Sequence, residues 1–498
     1  MHRLPRVRRS AFCLLLFALS AAAGPGCIRP PCTDADITCN VSAWLLEYSS
    51  CPATTSWHTH VGSNMFTTIT STVRTFKGGG LVVSGLTTND FLVNPQVVFS
   101  GTGGTPNFFM IKFDANGYQE WSTYLGRTAS GLQRIVTDDN AIVFAGDANL
   151  SFGTPINAFQ GGSTDMLIAR LDRRGGLLWH TYHGSAQNDA ALGVAFTSTG
   201  DIVVGGVVQG DFAGSAGTNR IPHQAPGTNN AGLIVVDTNG IPKFNTIVGN
   251  GTGARFLGVT VGLDGSLYGL GESNAVLGAS YPNVVVNFSG GATVDGLLVK
   301  FSAEGNYLLH TYQGEATANQ RFGGAALQAD GTMIVGASSQ ATYGSPLNPH
   351  ASSGTAADFA LSKYDSNGAL QWLTFIGGTG TDDIATISPA FAGQGTWVGG
   401  QSTVAFGSPL AAFPHSGGPG NGTLLRIDTN GNLQTLAFFG ASTATTVVND
   451  VTATCDIGLA IAARTNAAYG TSPINAYPGG SVAGLLVRLD TYLGLSSR

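Results

Sequence analysis

Charge is scarce in this chain. Asp, Glu, Lys and Arg together make up 10% of its 498 residues, where a soluble protein usually carries about a quarter. The formal net charge is −6. So weakly acidic a chain lacks the cationic footprint that phosphate backbones require, which excludes nucleic acid as an expected partner. After the N-terminal stretch no run of about 18 apolar residues occurs, so no internal membrane span is expected. No sustained amphipathic helix pattern is present either. No Gly-x-Ser-x-Gly elbow, P-loop or His-Glu-x-x-His is found, so the nucleophile, nucleotide and zinc chemistries those motifs serve are not expected, and no cofactor is. What the chain has in quantity is glycine, 71 residues, which with many Thr, Ser and Asn suits an all-β protein dense in turns.

Residues 1–26 read as an export signal. Arg3, Arg6, Arg8 and Arg9 form its positive end and Ala11–Ala23 its apolar core,. Two processing routes compete. Ala21-Ala22-Ala23 is a small-residue cleavage site, whereas Gly24-Pro25-Gly26-Cys27 resembles a bacterial lipobox, with Gly24 where Leu is usual. Cleavage after Ala23 leaves Cys27, Cys32, Cys39, Cys51 and Cys455, an odd set with one spare thiol. Cleavage before a lipidated Cys27 leaves four, an even set,. Parity favours the lipid anchor and an outer-membrane or cell-surface location; plain secretion is the alternative. Either cut moves the net charge from −6 to −10. Residues 27–41, rich in Pro, Thr and Asp with three cysteines, read as a tether,. Four cysteines allow three pairings, of which Cys51–Cys455 with Cys32–Cys39 is the expected one, since it staples the two ends of the folded body.

The remainder, residues 42–498, is one repeat. It is clearest in Asp165–Gly206, where four short β-branched or aromatic runs are separated by turns,. We call the four strands a to d. The c-to-d turns read FDANG (113–117), LDRRG (171–175), VDTNG (236–240), FSAEG (301–305), YDSNG (364–368) and IDTNG (427–431). The aligned positions Asp114, Asp172, Asp237, Ser302, Asp365, Asp428 and Asp490 lie 58 to 65 residues apart. Strand d often opens near a Trp and closes on Gly, as in WSTYLG (121–126) and WHTYHG (179–184). Strand b is an apolar run ending on a small residue, and there are seven a–b pairs, from LVVSG (81–85) to LAIAA (459–463). The loop from b to c repeats Pro, an apolar residue and a Gly pair, as in FGTPINAFQGG, and is expected on one face of the protein.

Seven four-stranded units of about 60 residues predict an all-β fold, a seven-bladed β-propeller. The chain starts and ends out of phase, with a c-like segment (Trp44–Tyr48) left unplaced. The last unit, ending in Leu485–Leu489, lacks a strand d, which Trp57–Val61 can supply, so the ring is expected to be closed by an N-terminal strand,. The units resemble the bacterial seven-bladed β-propeller (SBBP) repeat, best in LLWHTYHGSAQNDAALGVAFTSTGDIVVGG (177–206), over roughly residues 42–490. The resemblance implies the fold and an extracellular setting, and no defined activity. Departures are Ser302 for the turn Asp and irregular a–b hairpins at 255–271 and 446–463.

Four features carry candidate chemistry. The turn acids Asp114, Asp237, Asp365 and Asp428 superficially match the start of a calcium loop, but strand d follows at once, so hairpin turns are expected and no metal. The Asp-x-x-Gly-x-x-x-Trp spacing (Asp114 to Trp121, Asp365 to Trp372) resembles quinoprotein propeller repeats, in which the Trp docks neighbouring blades; a docking role is expected here too,. His58, His180 and His310 occupy one position of strand d in different units, too far apart around a ring for one metal, and read as surface or interblade residues. Asn188, Asp189, Arg255, Gln320, Arg321, Asp382 and Asp383 fall at the d-to-a connections, on the face where a propeller takes ligands,. They show no catalytic spacing. The expectation is a non-enzymatic, monomeric binding or scaffolding module, anchored to the membrane by lipid and recognising a protein or glycan. The alternative is an extracellular enzyme acting on a glycan at the central face.

Overall fold

The computed structural model describes residues 56–63, 66–74, 80–99, 105–127, 133–138, 141–212, 217–221, 228–251, 253–290, 294–351, 356–390, 395–454 and 458–489. The export signal, the tether, the 42–48 segment, Asp490 and the cysteines Cys27, Cys32, Cys39, Cys51 and Cys455 lie outside these residues, and with them the lipidation and disulfide expectations.

Seven antiparallel sheets form the blades of a propeller. In order a, b, c, d, blade 1 is Thr67–Arg74, Leu81–Thr87, Asn107–Phe113 and Gln119–Arg127. Blade 2 is Gln133–Thr137, Ala141–Ala148, Asp165–Asp172 and Leu177–His183. Blade 3 is Ala190–Phe196, Ile202–Val208, Asn230–Val236 and Pro242–Val248. Blade 4 is Arg255–Val261, Leu267–Ser273, Asp295–Phe301 and Tyr307–Gln313. Blade 5 is Gln320–Leu327, Met333–Ser339, Asp358–Tyr364 and Leu370–Ile376. Blade 6 is Asp382–Pro389, Thr396–Ser402, Asn421–Ile427 and Leu433–Phe439. Blade 7 joins Thr446–Ala453, Leu459–Thr465 and Ala483–Leu489 to Trp57–Val61, which pairs with the last of these in the register Trp57↔Arg488 to Val61↔Gly484. The N-terminal strand therefore closes the ring as its sequence implies. The hairpins at 255–271 and 446–463, irregular in sequence, form ordinary a–b pairs. Blade 3 departs from four strands: Thr218–Asn219 runs parallel beside its strand d.

Strands a of neighbouring blades touch all round the ring, so a is innermost and d outermost. In six blades strand a carries a bulge, for example between Ala191 and Gly193. Such a bulge bends the innermost strand and re-aims its side chains. Each blade face is apolar and packs on the next, as where Phe256 and Leu267 of blade 4 join Val203 and Val235 of blade 3 in one buried cluster.

The c-to-d turns are clasps between blades. Asp114 Oδ1 accepts the N–H groups of Asn116 and Tyr118, both at 2.9 Å, and Asp172, Asp237, Asp365 and Asp428 repeat the pattern. Ser302 does so through its hydroxyl, more weakly. The turn Gly has φ between 75° and 88°, a conformation cheap only for glycine. Onto that bare glycine lies the Trp of the preceding blade, whose indole N–H donates to a carbonyl of the same turn. Trp57 bonds Ala115 O (3.0 Å), Trp121 bonds Arg173 O (2.9 Å), Trp179 bonds Thr238 O (3.1 Å) and Trp372 bonds Thr429 O (2.9 Å). A Cβ on Gly240 would come within 2.9 Å of the Trp179 ring. The docking role read from the Asp-to-Trp spacing is what the structure shows.

The repeated b-to-c loop does not stay on one face. It runs along the outer edge of the ring and bonds strand d of its own blade. Ile156 N donates to His180 O (2.9 Å) and Tyr182 N to Asn157 O (3.2 Å); Leu347, Leu410 and Ile474 donate in the same way to Leu373, Leu436 and His58. The reason is physical: an outermost strand would otherwise expose a row of unpaired N–H and C=O groups, open to edge-to-edge association.

Candidate functional site

At one end of the ring the d-to-a connections and the b-to-c loops meet. Strand c begins there with Asn107, Asp165, Asn230, Asp295, Asp358 or Asn421, all fully buried. A buried carboxylate or amide must be hydrogen-bonded, and the b-to-c loop supplies the donors. Gln160 N reaches Asp165 Oδ2 at 2.5 Å, Ser289 N reaches Asp295 at 2.6 Å, Ala351 N reaches Asp358 at 2.6 Å and Ser416 N reaches Asn421 at 2.9 Å. These side chains are staples between loop and sheet. They also explain the glycine that closes strand d. A Cβ on Gly184 would lie 2.5 Å from Asp165 Oδ1 and 2.9 Å from Asp189 Oδ2, and one on Gly377 would lie 2.6 Å from Asp382 Oδ2 and 2.8 Å from Asp358 Oδ1.

At two of these junctions an Asp at the start of strand a faces the Asp of strand c, and at a third, between blades 4 and 5, Asp295 is raised by burial first and also by the charge of Glu315. Asp189, from the connection entering blade 3, accepts from Ser185 N (2.6 Å), Ser185 Oγ (2.9 Å) and Gln209 N (2.9 Å). Its neighbour Asp165 is pushed up to about 7, by burial first and then by the charge of Asp189, against the pull of the Gln160 N–H. At the junction of blades 5 and 6, Asp382 accepts from Gly378 N at 2.8 Å and is pushed up to about 6, again by burial first, with Asp358 and Asp383 adding to it. Of the seven residues expected at the ligand face, Asp189, Gln320 and Asp382 are thus interior. Gln320 accepts Glu315 N (3.0 Å) and donates to Ser339 Oγ (3.2 Å). Asn188 is at the surface, where its Oδ1 accepts Ser163 N at 2.7 Å.

Arg255, Arg321 and Asp383 stand at the axial rim. Arg255 lies across the strand pair from Glu272, which is 5% exposed. Its Nε and Nη2 both meet Glu272 Oε1 at 2.5 Å. From the next blade Arg321 Nε meets Glu272 Oε2 at 2.8 Å, with 56% of the Arg321 side chain exposed. One blade further, Asp383 is exposed opposite Gln401, its carboxyl raised by partial burial against the pull of the Ser338 hydroxyl. The equivalent positions are Thr68 and Leu86 in blade 1 and Ala190 and Val207 in blade 3. In blade 7 the same pair is Val447 and the exposed Arg464, so among the described residues exposed charge at these positions runs through blades 4 to 7, where guanidinium donors and a carboxylate acceptor face solvent. Glu272 was not visible as a partner in the sequence, because only the register of strands a and b sets it opposite Arg255. Asp165 and Asp358 had a signal, an Asx at the same repeat position in six units.

His180 and His310 are buried within their blades, neither at the surface nor between blades, while His58 is half-buried. His180 Nε2 contacts Phe152 O at 2.7 Å and its ring stacks on Phe152 at 4.2 Å. His310 Nδ1 contacts Tyr307 Oη at 2.7 Å, and His58 packs edge-on to Tyr469 at 5.7 Å. His180 and His58 thereby pack against the loops covering their own strands d. Burial lowers all three, His310 to about 4, so they are neutral in the neutral pH range. Among the described residues no group of three or more His, Cys, Asp or Glu is placed to hold a metal ion, and no helix is long and apolar enough to cross a membrane.

No family model matches the chain. A stretch of 123 residues is 31% identical to the regulatory protein FlaEY of Caulobacter vibrioides, covering 23% of this chain and 13% of that protein. Solved structures similar to it include Chaetomium thermophilum Sqt1 (TM-score 0.40, 10% identity, 89% of this chain and 98% of that one). The periplasmic gluconolactonase of Pseudomonas aeruginosa is similar at TM-score 0.40 and 10% identity, over 75% of this chain and 86% of that one. The hydrazine synthase of Kuenenia stuttgartiensis is similar at TM-score 0.36 and 11% identity, over 64% of this chain and 78% of that one.

Proposed function

We propose that this propeller is a binding or scaffolding module that takes its ligand over the axial rim formed by Arg255, Glu272, Arg321 and Asp383. The observation that supports this is the division of labour among polar groups at that end of the ring. Asp165, Asp189, Asp358 and Asp382 are buried and spend their oxygens on loop N–H groups or face one another. The rim arc instead presents side chains from blades 4, 5 and 6 to solvent. Ligand sites favour such a convergence of a few polar groups from a rigid scaffold. On the sequence evidence we place the module outside the cytoplasm, held by lipid on Cys27, with a glycan or protein as partner. The test is an array of glycans and surface proteins probed with residues 42–498 and with the Arg255→Ala/Arg321→Ala double variant. Ligands that bind the parent should lose at least tenfold in affinity on the variant. Undiminished binding places the site elsewhere.

A further inference from the structure

Resting on that site, we infer that the ligand is a glycan carrying isolated carboxylates, recognised through the open end of the Arg321 guanidinium. Arg321 Nε stands 2.8 Å from Glu272 Oε2 in an ion pair, with 56% of the Arg321 side chain exposed. A guanidinium that meets its carboxylate along one edge and is more than half exposed can still offer its terminal nitrogens to solvent, the fork that matches both oxygens of a carboxylate in parallel,. Glu272 is the positioning residue. It is 5% exposed and shared between two guanidiniums, so the cluster keeps one positive charge in excess at the rim. A polar ligand without an anion would leave that charge uncompensated.

The surroundings limit how much negative charge the ligand can bring. Asp383 stands in the same rim position of the next blade, opposite Gln401, and the chain as a whole carries −6. A dense polyanion would be repelled by Asp383 and by the net charge, with the exposed Arg464 of blade 7 the one further cation at the equivalent position among the described residues,. A sugar with one carboxylate and several hydroxyls meets the opposite situation: Arg321 takes the carboxylate, while Asp383 accepts and Gln401 donates or accepts at hydroxyls. A uronic acid within a polysaccharide has this chemistry.

The experiment measures binding of an otherwise neutral xylo-oligosaccharide bearing a single glucuronic acid residue, of its methyl ester, and of the unsubstituted xylo-oligosaccharide to the full exported chain, to Arg321→Ala and to Arg321→Lys. Arg321 is exposed, and matching melting temperatures confirm that the variants fold. The uronate should bind, its ester at least tenfold more weakly. Arg321→Ala should lose at least tenfold for the uronate alone, and Arg321→Lys, which keeps the charge without the fork, should lie between. Equal binding of uronate and ester, both weakened by Arg321→Ala, would overturn the carboxylate while leaving the rim as the site. Uronate binding untouched by Arg321→Ala would remove the rim itself. Binding of none of the three oligomers would also overturn the inference.

Discussion

The half of the ring that contains the chain closure and the half opposite it are held together by different means. At one position of strand a, blades 6, 7, 1 and 2 carry Thr386, Asp450, Ser71 and Arg134. Asp450 accepts from Thr386 Oγ1 at 2.8 Å and from Ser71 Oγ at 3.2 Å, and Ser71 Oγ in turn accepts Ile135 N at 3.4 Å. Beside them Asn449 donates to Ile69 O at 2.6 Å. The same position in blades 3, 4 and 5 is Gly193, Gly258 and Gly324. A Cβ on Gly193 would lie 2.7 Å from Gly258 Cα, so there the backbones themselves are in contact. The turn clasps follow the same division in part. Trp57 and Trp121 bond the turns of blades 1 and 2, while Phe244 and Leu309 rest on Gly305 and Gly368 within the far half. The two Asp–Asp pairs stand at the borders between the halves, entering blade 3 and entering blade 6, while Asp295 and Glu315 meet within the far half. Blade 7 unites segments about as far apart in sequence as the chain allows, so its junctions bear the largest loop-closure cost, and directional bonds gather around it. The far blades are each continuous in sequence and rely on close approach.

The comparison makes unequal demands on equivalent positions. Gly193→Val places side-chain atoms against the backbone of Gly258 and Val259. Such overpacking costs about 3 kcal/mol. Ser71→Ala, at the equivalent place in blade 1, removes one hydrogen bond to a charged partner, about 1.5 kcal/mol. Urea melts of both variants decide the matter. If the serine change cost more than the valine one, the far half would not depend on backbone contact.

The border pairs should make stability fall as pH rises. Asp165 and Asp382 are raised in the folded state, to about 7 and about 6, against about 3.9 in an unfolded chain. Between those values the folded protein binds more protons than the unfolded one, so stability is greatest near pH 4 and declines until the folded groups have ionised. One such group gives a slope of at most about 1.4 kcal/mol per pH unit. Asp165→Asn keeps an acceptor for Gln160 N and removes the charge. It should flatten the decline between pH 5 and 7 by close to one proton's worth, measured as thermal stability against pH. An unchanged slope would mean that Asp165 stays ionised throughout.

Much of this architecture is legible in the sequence because it repeats. Seven a–b pairs and six turns announce the blades, the unmatched Trp57–Val61 announces the closure, and the Trp seven residues after the turn Asp announces the clasp. What is not legible is whatever depends on register or on neighbours from different repeats. Arg255 and Arg321 stand out at the d-to-a connections, yet Glu272 gains meaning only through the Arg255↔Glu272 pairing. Asp189 and Asp382 look like exposed loop acids, because sequence does not show that Asp165 and Asp358 lie beneath them. The covering of strand d by its loop was hidden for a similar reason: those bonds are backbone to backbone and leave no side-chain signature.

The smallest effect should come from Trp179→Phe, at the border between blades 2 and 3. The indole contributes two things to the clasp, its N–H bond to Thr238 O at 3.1 Å and its flat contact with the glycine of the turn. Phenylalanine keeps much of the second and loses the first. The next junction already works without the bond, since Phe244 lies on Gly305 in the same way, with ring atoms 2.3 to 3.2 Å from where a Cβ would be. A single bond near the surface contributes about 1 kcal/mol, so Trp179→Phe should cost about that much, whereas Trp179→Ala, which also strips the glycine of its cover, should cost about 3 kcal/mol. Equal losses for the two variants would show that the clasp is chiefly a hydrogen bond, and the contrast between indole and phenyl junctions would then separate the two halves of the ring more sharply than the glycines do.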